Sequence, residues 1–406
     1  MQSRMKTIVI LADGMADRPM ARLGGRTPLM AARTPHIDRL CAMARTGRLM
    51  TIPEDLPAGS EVANLSVLGY DVKKVYQGRG VLEAASLGVC LERSDLAMRC
   101  NLICIENEKI KNHSAGHIPS DQAKPLIEEL NRKFGSDRIH FANGKSYRHL
   151  LVLKGGSDRI ECTPPHDVPG TPFRDMMVRA LDPRGKGTAA LLNDLILRSR
   201  DILDNHPVNR ERRSQGKDPA NAIWPWSPGR KPKMKTFQDL YGITGAVISA
   251  VDLIHGIGVY AGMTSIPVQG ATGLADTNYE GKTEAAIRAL KDKDFVFLHI
   301  EASDEAGHEG DVDLKIRTIE SLDQRVVKFI MEETRKMAEP VAVALLPDHP
   351  TPCEVRTHVR DAVPFLIYKP GVESDGVTEF NETSVEKGAY GLLKGDQFIR
   401  ELLGRK

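Results

Sequence analysis

Three apolar runs, well separated along the chain, each lead into residues that bind metals well. The runs span residues 7–12, 295–300 and 341–346, and each has the length and composition of one buried strand. Ligands at the carboxyl ends of parallel strands converge in one crevice. The sequence therefore predicts an α/β fold in which a doubly wound core sheet gathers these residues into a single site.

The residues that follow the runs combine carboxylates with histidines. They are Asp13, then Asp304 and His308, and then Asp348, His349 and His358. Carboxylate oxygen together with neutral imidazole nitrogen suits manganese, zinc or a related divalent ion better than calcium. The alternative is that Asp13 only ends a strand and that the histidines are ordinary surface residues. It would have to explain an acid and a histidine at strand ends in separate segments, so the metal interpretation is preferred.

A turn rich in proline and glycine, residues 57–61, presents one serine just before the apolar stretch that starts at Val62. Ser60 is the candidate nucleophile, because coordination to a metal lowers the pKa of a serine hydroxyl without a histidine base. The alternative makes Ser60 the N-cap of a helix with Glu61 in its first turn. Both can hold, since a helix N-terminus also favours the negative charge of a phosphorylated serine.

Longer motifs surround these candidate residues. They are Ile-Leu-Ala-Asp13-Gly, Ala58-Gly59-Ser60-Glu61, Tyr76-Gln-Gly-Arg79-Gly, Gly270-Ala-Thr-Gly273, Asp304-Glu-Ala-Gly-His308 and Asp348-His349-Pro-Thr-Pro-Cys353. On these motifs, and over nearly its whole length, the chain resembles the archaeal-type cofactor-independent phosphoglycerate mutases of the alkaline phosphatase superfamily. The resemblance implies two divalent metal ions and a phosphoserine on Ser60, with no requirement for 2,3-bisphosphoglycerate.

The resemblance also implies which residues hold each metal. The first ion would be bound by Asp13, Ser60, Asp348 and His349, and the second by Asp304, His308 and His358. Manganese is the expected metal, with magnesium, zinc and cobalt as alternatives.

Two domains are expected from the order of the elements. Residues 1–75 and 240–406 are expected to form a discontinuous, alkaline phosphatase-like core that binds the metals, with a helix capped by Thr34 that has Pro35 at its first position. Further core helices are predicted near 282–290 and 315–333. Residues 76–239 are expected to form an inserted, smaller α+β cap domain that binds substrate. Its predicted elements are strands at 96–105, 139–142 and 150–154 and a helix at 122–134.

The segment 206–235 is rich in arginine and lysine and contains both tryptophans. Trp224-Pro225-Trp226 predicts a rigid aromatic loop, and Arg210 and Arg213 beside it would suit a phosphate or carboxylate. Aromatic residues beside basic ones could equally stack a nucleotide base. A third interpretation is a solvated basic loop whose indoles pack on the domain beneath.

Further substrate-binding candidates come from the resemblance, and so do two departures from its pattern. Arg79 and Arg148 fall where the family has a basic residue, and His117 is a third candidate. Asn64 stands where typical mutases have a histidine after the nucleophile. Around His113 and His117, histidines replace the arginines that the archaeal enzymes would have.

Two enzymatic hypotheses share the predicted site. The preferred one is the interconversion of 3-phosphoglycerate and 2-phosphoglycerate through phosphorylated Ser60. The alternative is a homoserine kinase that uses ATP, because some relatives with a Trp-x-Trp loop resemble such kinases. No Walker A motif supports it, since Asp276 replaces the glycine needed before Gly281-Lys282-Thr283. A catalytically silent binding protein is a third class, and the intact ligand set and serine argue against it.

Composition fits a large soluble enzyme. The chain has 406 residues, is 41% hydrophobic and 27% charged, and carries a formal charge of +2. With charges interspersed and no apolar stretch of transmembrane length, neither a nucleic-acid nor a membrane partner is expected. The start of the chain lacks the apolar region of a signal peptide, and the cysteines form no C-x-x-C pair, so a cytoplasmic location with reduced thiols is expected.

Overall fold

The computed structural model describes residues 5–405, which divide into two compact units. The first, called the core unit, consists of Met1–Tyr76 and Lys233–Lys406, within which residues 1–4 and 406 are not described. The second, called the inserted unit, is Gln77–Pro232.

The chain alternates strands and helices throughout. The strands, numbered in chain order, are β1 (Lys6–Ala12), β2 (Arg45–Met50), β3 (Asp95–Glu106), β4 (Lys109–Asn112), β5 (Ile139–Lys145), β6 (Arg148–Lys154), β7 (Ile160–Glu161), β8 (Arg179–Ala180), β9 (Ala222–Arg230), β10 (Gly245–Ile248), β11 (Thr264–Ile266), β12 (Phe295–Ile300), β13 (Val341–Leu346), β14 (Val363–Tyr368) and β15 (Gly391–Lys394). The helices are α1 (Pro28–Ala31), α2 (Pro35–Cys41), α3 (Ser60–Val67), α4 (Val72–Val75), α5 (Arg79–Ser86), α6 (Ser120–Phe134), α7 (Lys186–Leu203), α8 (Pro207–Ser214), α9 (Phe237–Tyr241), α10 (Asp252–Tyr260), α11 (Tyr279–Asp292), α12 (Ala302–Glu309), α13 (Val312–Leu322), α14 (Lys328–Thr334) and α15 (Gln397–Leu403).

The core unit is built on an eight-stranded sheet in the order β11-β10-β12-β1-β13-β14-β2-β15. Its strand pairs are parallel except the two that β14 makes. Leu11 of β1 is in register with His299 of β12 and Leu346 of β13, so these three strands end at the same edge of the sheet. The three predicted strands are confirmed, and their common edge receives the residues that follow them.

Helices cover both faces of this sheet. On one face, residues of β1, β12 and β13 form one buried cluster with α2, α11 and α14. Ala246 and Ile248 of β10 belong to that cluster, so Val247 between them points to the opposite face. There α10 approaches so closely that a Cβ on Gly258 would lie 2.3 Å from a Val247 methyl group. The predicted doubly wound α/β class is confirmed.

Two helix predictions in the core unit need correction. The stretch predicted as one helix at 315–333 is helical, but a π-helical turn at Asp323–Val327 separates α13 from α14. Thr34 occupies the N-cap position of α2, but its side chain makes no capping hydrogen bond. The backbone N–H groups of His36 and Ile37 instead donate to the carboxylate of Asp323, at 2.9 and 2.7 Å. The carboxylate of Asp323, which is distant in sequence, therefore caps the N-terminus of α2 in place of Thr34.

The inserted unit contains a five-stranded sheet in which β3 pairs with β4, β6 and β9. The predicted aromatic loop at Trp224–Trp226 is wrong, because these residues lie within β9, antiparallel to β3. Proline has no N–H to donate to a neighbouring strand. Pro225 is tolerated because β9 pairs with β3 on one side only, so no hydrogen bond is lost on its other side. Trp224 and Trp226 are 1% and 8% exposed and belong to the core of the unit. The buried indoles leave the nucleotide-stacking interpretation without support.

In the described part of the chain, none of the helices combines the length and the apolar character needed to cross a membrane.

Candidate active site

The site forms in the core unit where β1, β12 and β13 end. Asp13 follows β1 directly, and its backbone N–H donates to Ile300 O of the neighbouring strand at 2.9 Å. Gly14 then turns the chain in the left-handed region, with φ of 62°. A Cβ at Gly14 would lie 2.5 Å from the Cα of Asp304, so glycine lets the two ligand-bearing segments approach each other. The tight turn therefore sets the spacing of the site.

Asp13, Asp348 and His349 form one candidate metal-binding group, and each of them is buried. His349 Nε2 lies 3.6 Å from Asp13 Oδ1 and 3.3 Å from Asp348 Oδ2. The same nitrogen lies 3.1 Å from Ser60 Oγ, the predicted nucleophile. The structure thus brings together all four residues that the resemblance implied for the first metal.

Asp304, His308 and His358 form a second such group. Asp304 and His308 are one turn apart on α12, and the Asp304 oxygens lie 3.3 Å from His308 Nε2 and 3.5 Å from His358 Nε2. The His349 and His358 rings stack with centroids 3.9 Å apart, so the two groups are neighbours. These are the three residues implied for the second metal.

The donor chemistry of the second group fits a cation. His308 Nδ1 lies 3.1 Å from Arg356 O, and His358 Nδ1 lies 3.2 Å from Ala58 O. A carbonyl only accepts, so each Nδ1 carries a proton and each Nε2 faces inward, where it can hold either a second proton or a metal ion. These two Nε2 atoms are 2.9 Å apart. At this distance the two nitrogens need a proton or a metal ion beside them, because two bare lone pairs would repel each other.

The pKa shifts of the carboxylates and histidines also favour a cation at this site. Burial and the nearby carboxylates of Asp348 and Asp304 raise the pKa of Asp13 well above its usual value. Although burial opposes it, hydrogen bonding to His308 and His358 holds the pKa of Asp304 well below its usual value. The same hydrogen bond with Asp304 raises the pKa of His308 to about 9. Buried carboxylates that are crowded together and drawn to protonated histidines form a site that divalent cations would stabilise.

Ser60 is the first residue of α3, and Gly59 occupies the N-cap position. The alternative in which Ser60 caps the helix is therefore wrong, and its hydroxyl faces His349 instead. Asn64, one turn later, donates from Nδ2 to Ser60 O at 2.8 Å and to Asp348 Oδ2 at 2.9 Å. The residue that departs from the mutase pattern thus ties the serine helix to a metal-ligand candidate.

Two residues of the site were missed by the sequence reasoning. Glu301 forms a third possible metal-binding group with Asp13 and Asp304. Burial, followed by the charges of Glu305 and Asp304, raises the pKa of Glu301 to about 7. A signal was available, because Glu301 follows an apolar run just as Asp13 does. His299 was missed because it lies inside the apolar run, and its Nε2 is 2.9 Å from Asp13 Oδ2.

In the inserted unit, three arginines form a cationic group that includes two predicted substrate-binding residues. Arg99 is buried in β3, with its guanidinium 4.4 Å from the centroid of the Trp226 ring. Burial lowers the pKa of Arg99; the partner Glu83 opposes this, and the charges of Arg79 and Arg148 lower it further. Arg148 pairs with Asn101, two residues along β3 from Arg99, and a Cβ at Gly80, the residue after Arg79, would lie 3.0 Å from Arg99 N, so the three arginines are neighbours. The sequence reasoning missed Arg99 because it is a single cation within an apolar strand.

Histidines adjoin this arginine group. The rings of His113 and His117 both meet the Tyr147 ring edge-on, at 5.6 and 5.9 Å, and Arg148 lies 5.0 Å from the same ring. Burial, then the charges of His166, His117 and Arg148, lower the pKa of His113. The predicted residues Arg79, Arg148 and His117 thus share one region of the inserted unit.

The other two predicted arginines have different surroundings. Arg210 and Arg213 are exposed on α8, and Arg213 pairs with the side chain of Asp204. Between them, Arg212 is buried and donates to Ala115 O at 2.6 Å. The basic segment therefore contributes a structural arginine that supports the histidine loop, residues 113–117.

An α/β sheet whose strand ends gather carboxylates, histidines and a serine defines a class, that of α/β proteins with a candidate two-metal phosphoryl-transfer site. Comparison with known proteins gives the family. The family model for 2,3-bisphosphoglycerate-independent phosphoglycerate mutase matches residues 42–209. A protein of that name from Methanosarcina barkeri is 50% identical over 404 residues, which cover 99% of this chain and 100% of the relative.

Solved structures agree with this assignment. The cofactor-independent phosphoglycerate mutase of Thermoplasma acidophilum has a TM-score of 0.71 at 28% identity, covering 98% of this chain and 99% of that chain. A protein from Pyrococcus horikoshii has a TM-score of 0.84 at 30% identity, covering 100% and 99%. The chain belongs to the family of 2,3-bisphosphoglycerate-independent phosphoglycerate mutases, which confirms the resemblance seen in its motifs. The homoserine kinase alternative gains no support from these relatives.

Proposed function

We propose that this protein interconverts 3-phosphoglycerate and 2-phosphoglycerate, without 2,3-bisphosphoglycerate, through a phosphoserine on Ser60. The observation that carries the proposal is the position of Ser60 Oγ, 3.1 Å from His349 Nε2 and beside buried carboxylates. The family supplies the reaction, and this geometry supplies a nucleophile for it. The small phosphorylated metabolite is the only substrate required.

We also propose that two divalent ions, manganese by preference, are held by these residues. One would be bound by Asp13, Ser60, Asp348 and His349, and the other by Asp304, His308 and His358. When bound, such ions lower the pKa of a serine hydroxyl and offset the charge of a transferring phosphoryl group. The inward-facing Nε2 atoms of His308 and His358 support the second assignment, and the crowding of Asp13 against Asp348 supports the first.

The transfer itself has two balanced steps. Ser60 Oγ attacks phosphorus, the bond from phosphorus to the 3-oxygen of the substrate breaks, and the proton lost by the serine is balanced by the proton gained by the released 3-hydroxyl. The 2-hydroxyl oxygen of glycerate then attacks phosphorus, the bond from phosphorus to Ser60 Oγ breaks, and the proton lost by the 2-hydroxyl is balanced by the proton that Ser60 regains. The N-terminal end of α3 favours the added negative charge on Ser60, because the helix dipole is positive there.

Residues 76–239 are proposed as the substrate-binding cap domain. Arg79 and Arg148 would supply cations for the phosphate and carboxylate groups of the substrate, with His117 as a hydrogen-bonding neighbour. The buried Arg99, which is paired with Glu83, would support this group from beneath. Arg210 and Arg213 are proposed as secondary contacts only, since Arg213 is already paired with Asp204. A cytoplasmic location is proposed because all six cysteines are free thiols, which suits a reducing compartment.

The test is phosphorus NMR of the purified protein with Mn²⁺ and 3-phosphoglycerate. The wild type is expected to form 2-phosphoglycerate, and a chelator is expected to stop the reaction until Mn²⁺ is restored. Ser60→Ala should reduce turnover by about a thousandfold or more, because the covalent intermediate is lost. Ser66→Ala, a buried serine of the same helix, is the matched control and should retain activity. Wild-type turnover in Ser60→Ala would show that the nucleophile is another group.

A further inference from the structure

A chain of buried hydrogen bonds reaches Asp13 through residues that are not themselves candidate metal ligands. His299, the penultimate residue of β12, is fully buried, and its Nε2 lies 2.9 Å from Asp13 Oδ2. Its other ring nitrogen, Nδ1, lies 3.1 Å from Ser249 Oγ. Ser249 follows β10, the next strand of the sheet, so three neighbouring strands contribute to the chain.

The partners define the tautomer of His299. Ser249 Oγ accepts from the backbone N–H of Val251 at 2.9 Å, which fixes the hydroxyl oxygen and leaves its proton to point at His299 Nδ1. Nδ1 is therefore an acceptor, and Nε2 carries the proton and donates to the carboxylate of Asp13.

A second histidine holds Ser249 in place. His255 Nε2 lies 3.0 Å from Ser249 O, and His255 Nδ1 lies 2.7 Å from Ser265 Oγ in the neighbouring strand β11. Both the side chain and the carbonyl of Ser249 are thus engaged by histidine rings. The serine is part of a rigid support that reaches Asp13 through His299.

The consequence for Asp13 is that its two oxygens differ. Oδ2 accepts from His299, whereas Oδ1 accepts no hydrogen bond within the described residues and is the oxygen 3.6 Å from His349 Nε2. Only Oδ1 is left for a cation, and the carboxylate plane is fixed by the bond on the other side. Hydrogen bonds of this kind orient metal ligands and strengthen metal binding.

We propose that Ser249 and His299 are positioning residues that fix Asp13 for one-oxygen metal binding, and so set the affinity of the site formed by Asp13, Asp348 and His349. This rests on the proposed function for the presence of a metal on Asp13. It makes His299 a determinant of one metal site only, because His308 and His358 of the other group are oriented by backbone carbonyls.

The test is calorimetric titration of the chelator-treated protein with Mn²⁺ alone, followed by electron paramagnetic resonance of the bound ion. His299→Leu should weaken one of the two Mn²⁺ sites by about 10-fold to 100-fold and leave the other unchanged. Ser249→Ala, which removes only the hydroxyl, should weaken the same site by a smaller factor. His299→Gln retains a donor that reaches Asp13 and should restore much of the affinity.

A matched control separates positioning from general damage. His149 is a buried histidine of the inserted unit whose Nδ1 accepts from Gly144 N at 3.1 Å, so His149→Leu loses a comparable bond far from the ligand set in sequence. It should leave both Mn²⁺ affinities and the resonance spectrum unchanged. Should His299→Leu not fold, Ser249→Ala and His299→Gln carry the comparison.

The outcomes distinguish this inference from the function on which it rests. Unchanged Mn²⁺ affinity in folded His299→Leu, or in Ser249→Ala if the former does not fold, would overturn the positioning role alone. Equal weakening of both sites would also overturn it. A wild type that binds no Mn²⁺ would overturn the proposed metals, and the positioning role with them.

Discussion

Replacing Lys315 by methionine should strongly destabilise the core unit, because this lysine is completely buried. Its Nζ lies on α13 and donates to Asp17 Oδ2 at 2.9 Å, to Ala16 O at 3.1 Å and to Thr351 O at 2.9 Å. Ala16 lies in the loop just after Asp13, and Thr351 lies in the loop just after His349. One ammonium group therefore joins the two loops that carry the first metal-ligand group.

The magnitude follows from the burial of the pair. The side chains of Lys315 and Asp17 are both 0% exposed, and removing one partner of a buried ion pair costs about 3–5 kcal/mol. Asp17 would still accept from the backbone N–H groups of Arg18 and Cys353, at 2.8 and 3.1 Å, which favours the lower end, about 3 kcal/mol. For a unit of this size, about 3 kcal/mol corresponds to a fall in Tm of roughly 6–12 °C.

The assay is thermal unfolding followed by circular dichroism, with Mn²⁺ titration of the same samples at a temperature where both proteins are folded. Lys315→Met should show the fall in Tm and weaker Mn²⁺ binding, since the loops lose their common anchor. The double variant Lys315→Met with Asp17→Asn removes the unpaired charge as well and should recover part of the Tm. A Tm within 2 °C of the wild type, or a double variant no more stable than Lys315→Met, would refute the reasoning.

Two further predictions concern the ligand segments. Gly14→Ala should abolish activity and lower Tm, because the added Cβ would lie 2.5 Å from Asp304 Cα. Gly24→Ala is the control: Gly24 has a similar φ of 65° but no atom within 4 Å of the added carbon, so this substitution should cost only backbone strain. Equal effects of the two substitutions would argue against the steric explanation. The hydrogen bond with Asp304 raises the pKa of His308 to about 9, above the value of 6.5 for a free histidine. The protonated His308 therefore stabilises the metal-free protein fully below about pH 6.5, and this stabilisation is lost as the pH rises through 9. Urea unfolding of the chelator-treated protein should therefore show stability falling over this range, with a smaller fall in His308→Asn, while Mn²⁺ binding strengthens over the same range because the metal competes with that proton.

The ligand residues could be predicted from the sequence because two local signals coincide. An apolar run marks a buried strand, and a carboxylate or histidine just beyond it marks the strand end, so Asp13 and Asp348 are found without knowing which strands are neighbours. Glu301 obeys the same rule and was overlooked only because Asp304 and His308 made the stronger motif. The order of the strands, which makes these ends adjacent, comes from pairing over long sequence distances.

The failures share a physical cause, because in each a partner distant in sequence outweighs a local preference. Trp224-Pro225-Trp226 has the composition of a loop, yet pairing with β3 and burial of two indoles make it a strand. Thr34 is a good capping residue, yet Asp323 takes its role from nearly three hundred residues away. No pattern within a short window contains such information.

The two departures from the mutase pattern can be weighed by what each side chain now contacts. Asn64 donates to Ser60 O and to Asp348 Oδ2, so the amide keeps the serine helix attached to the metal-ligand group. Burial and neighbouring cations lower the pKa of His113, which makes this histidine a poor source of positive charge. Arg99, buried beside Trp226 and close to Arg79 and Arg148, supplies a cation in the same region of the inserted unit. Because Arg99 is paired with Glu83, we propose that Arg79 and Arg148 beside it supply the positive charge that arginines in the histidine loop would otherwise give.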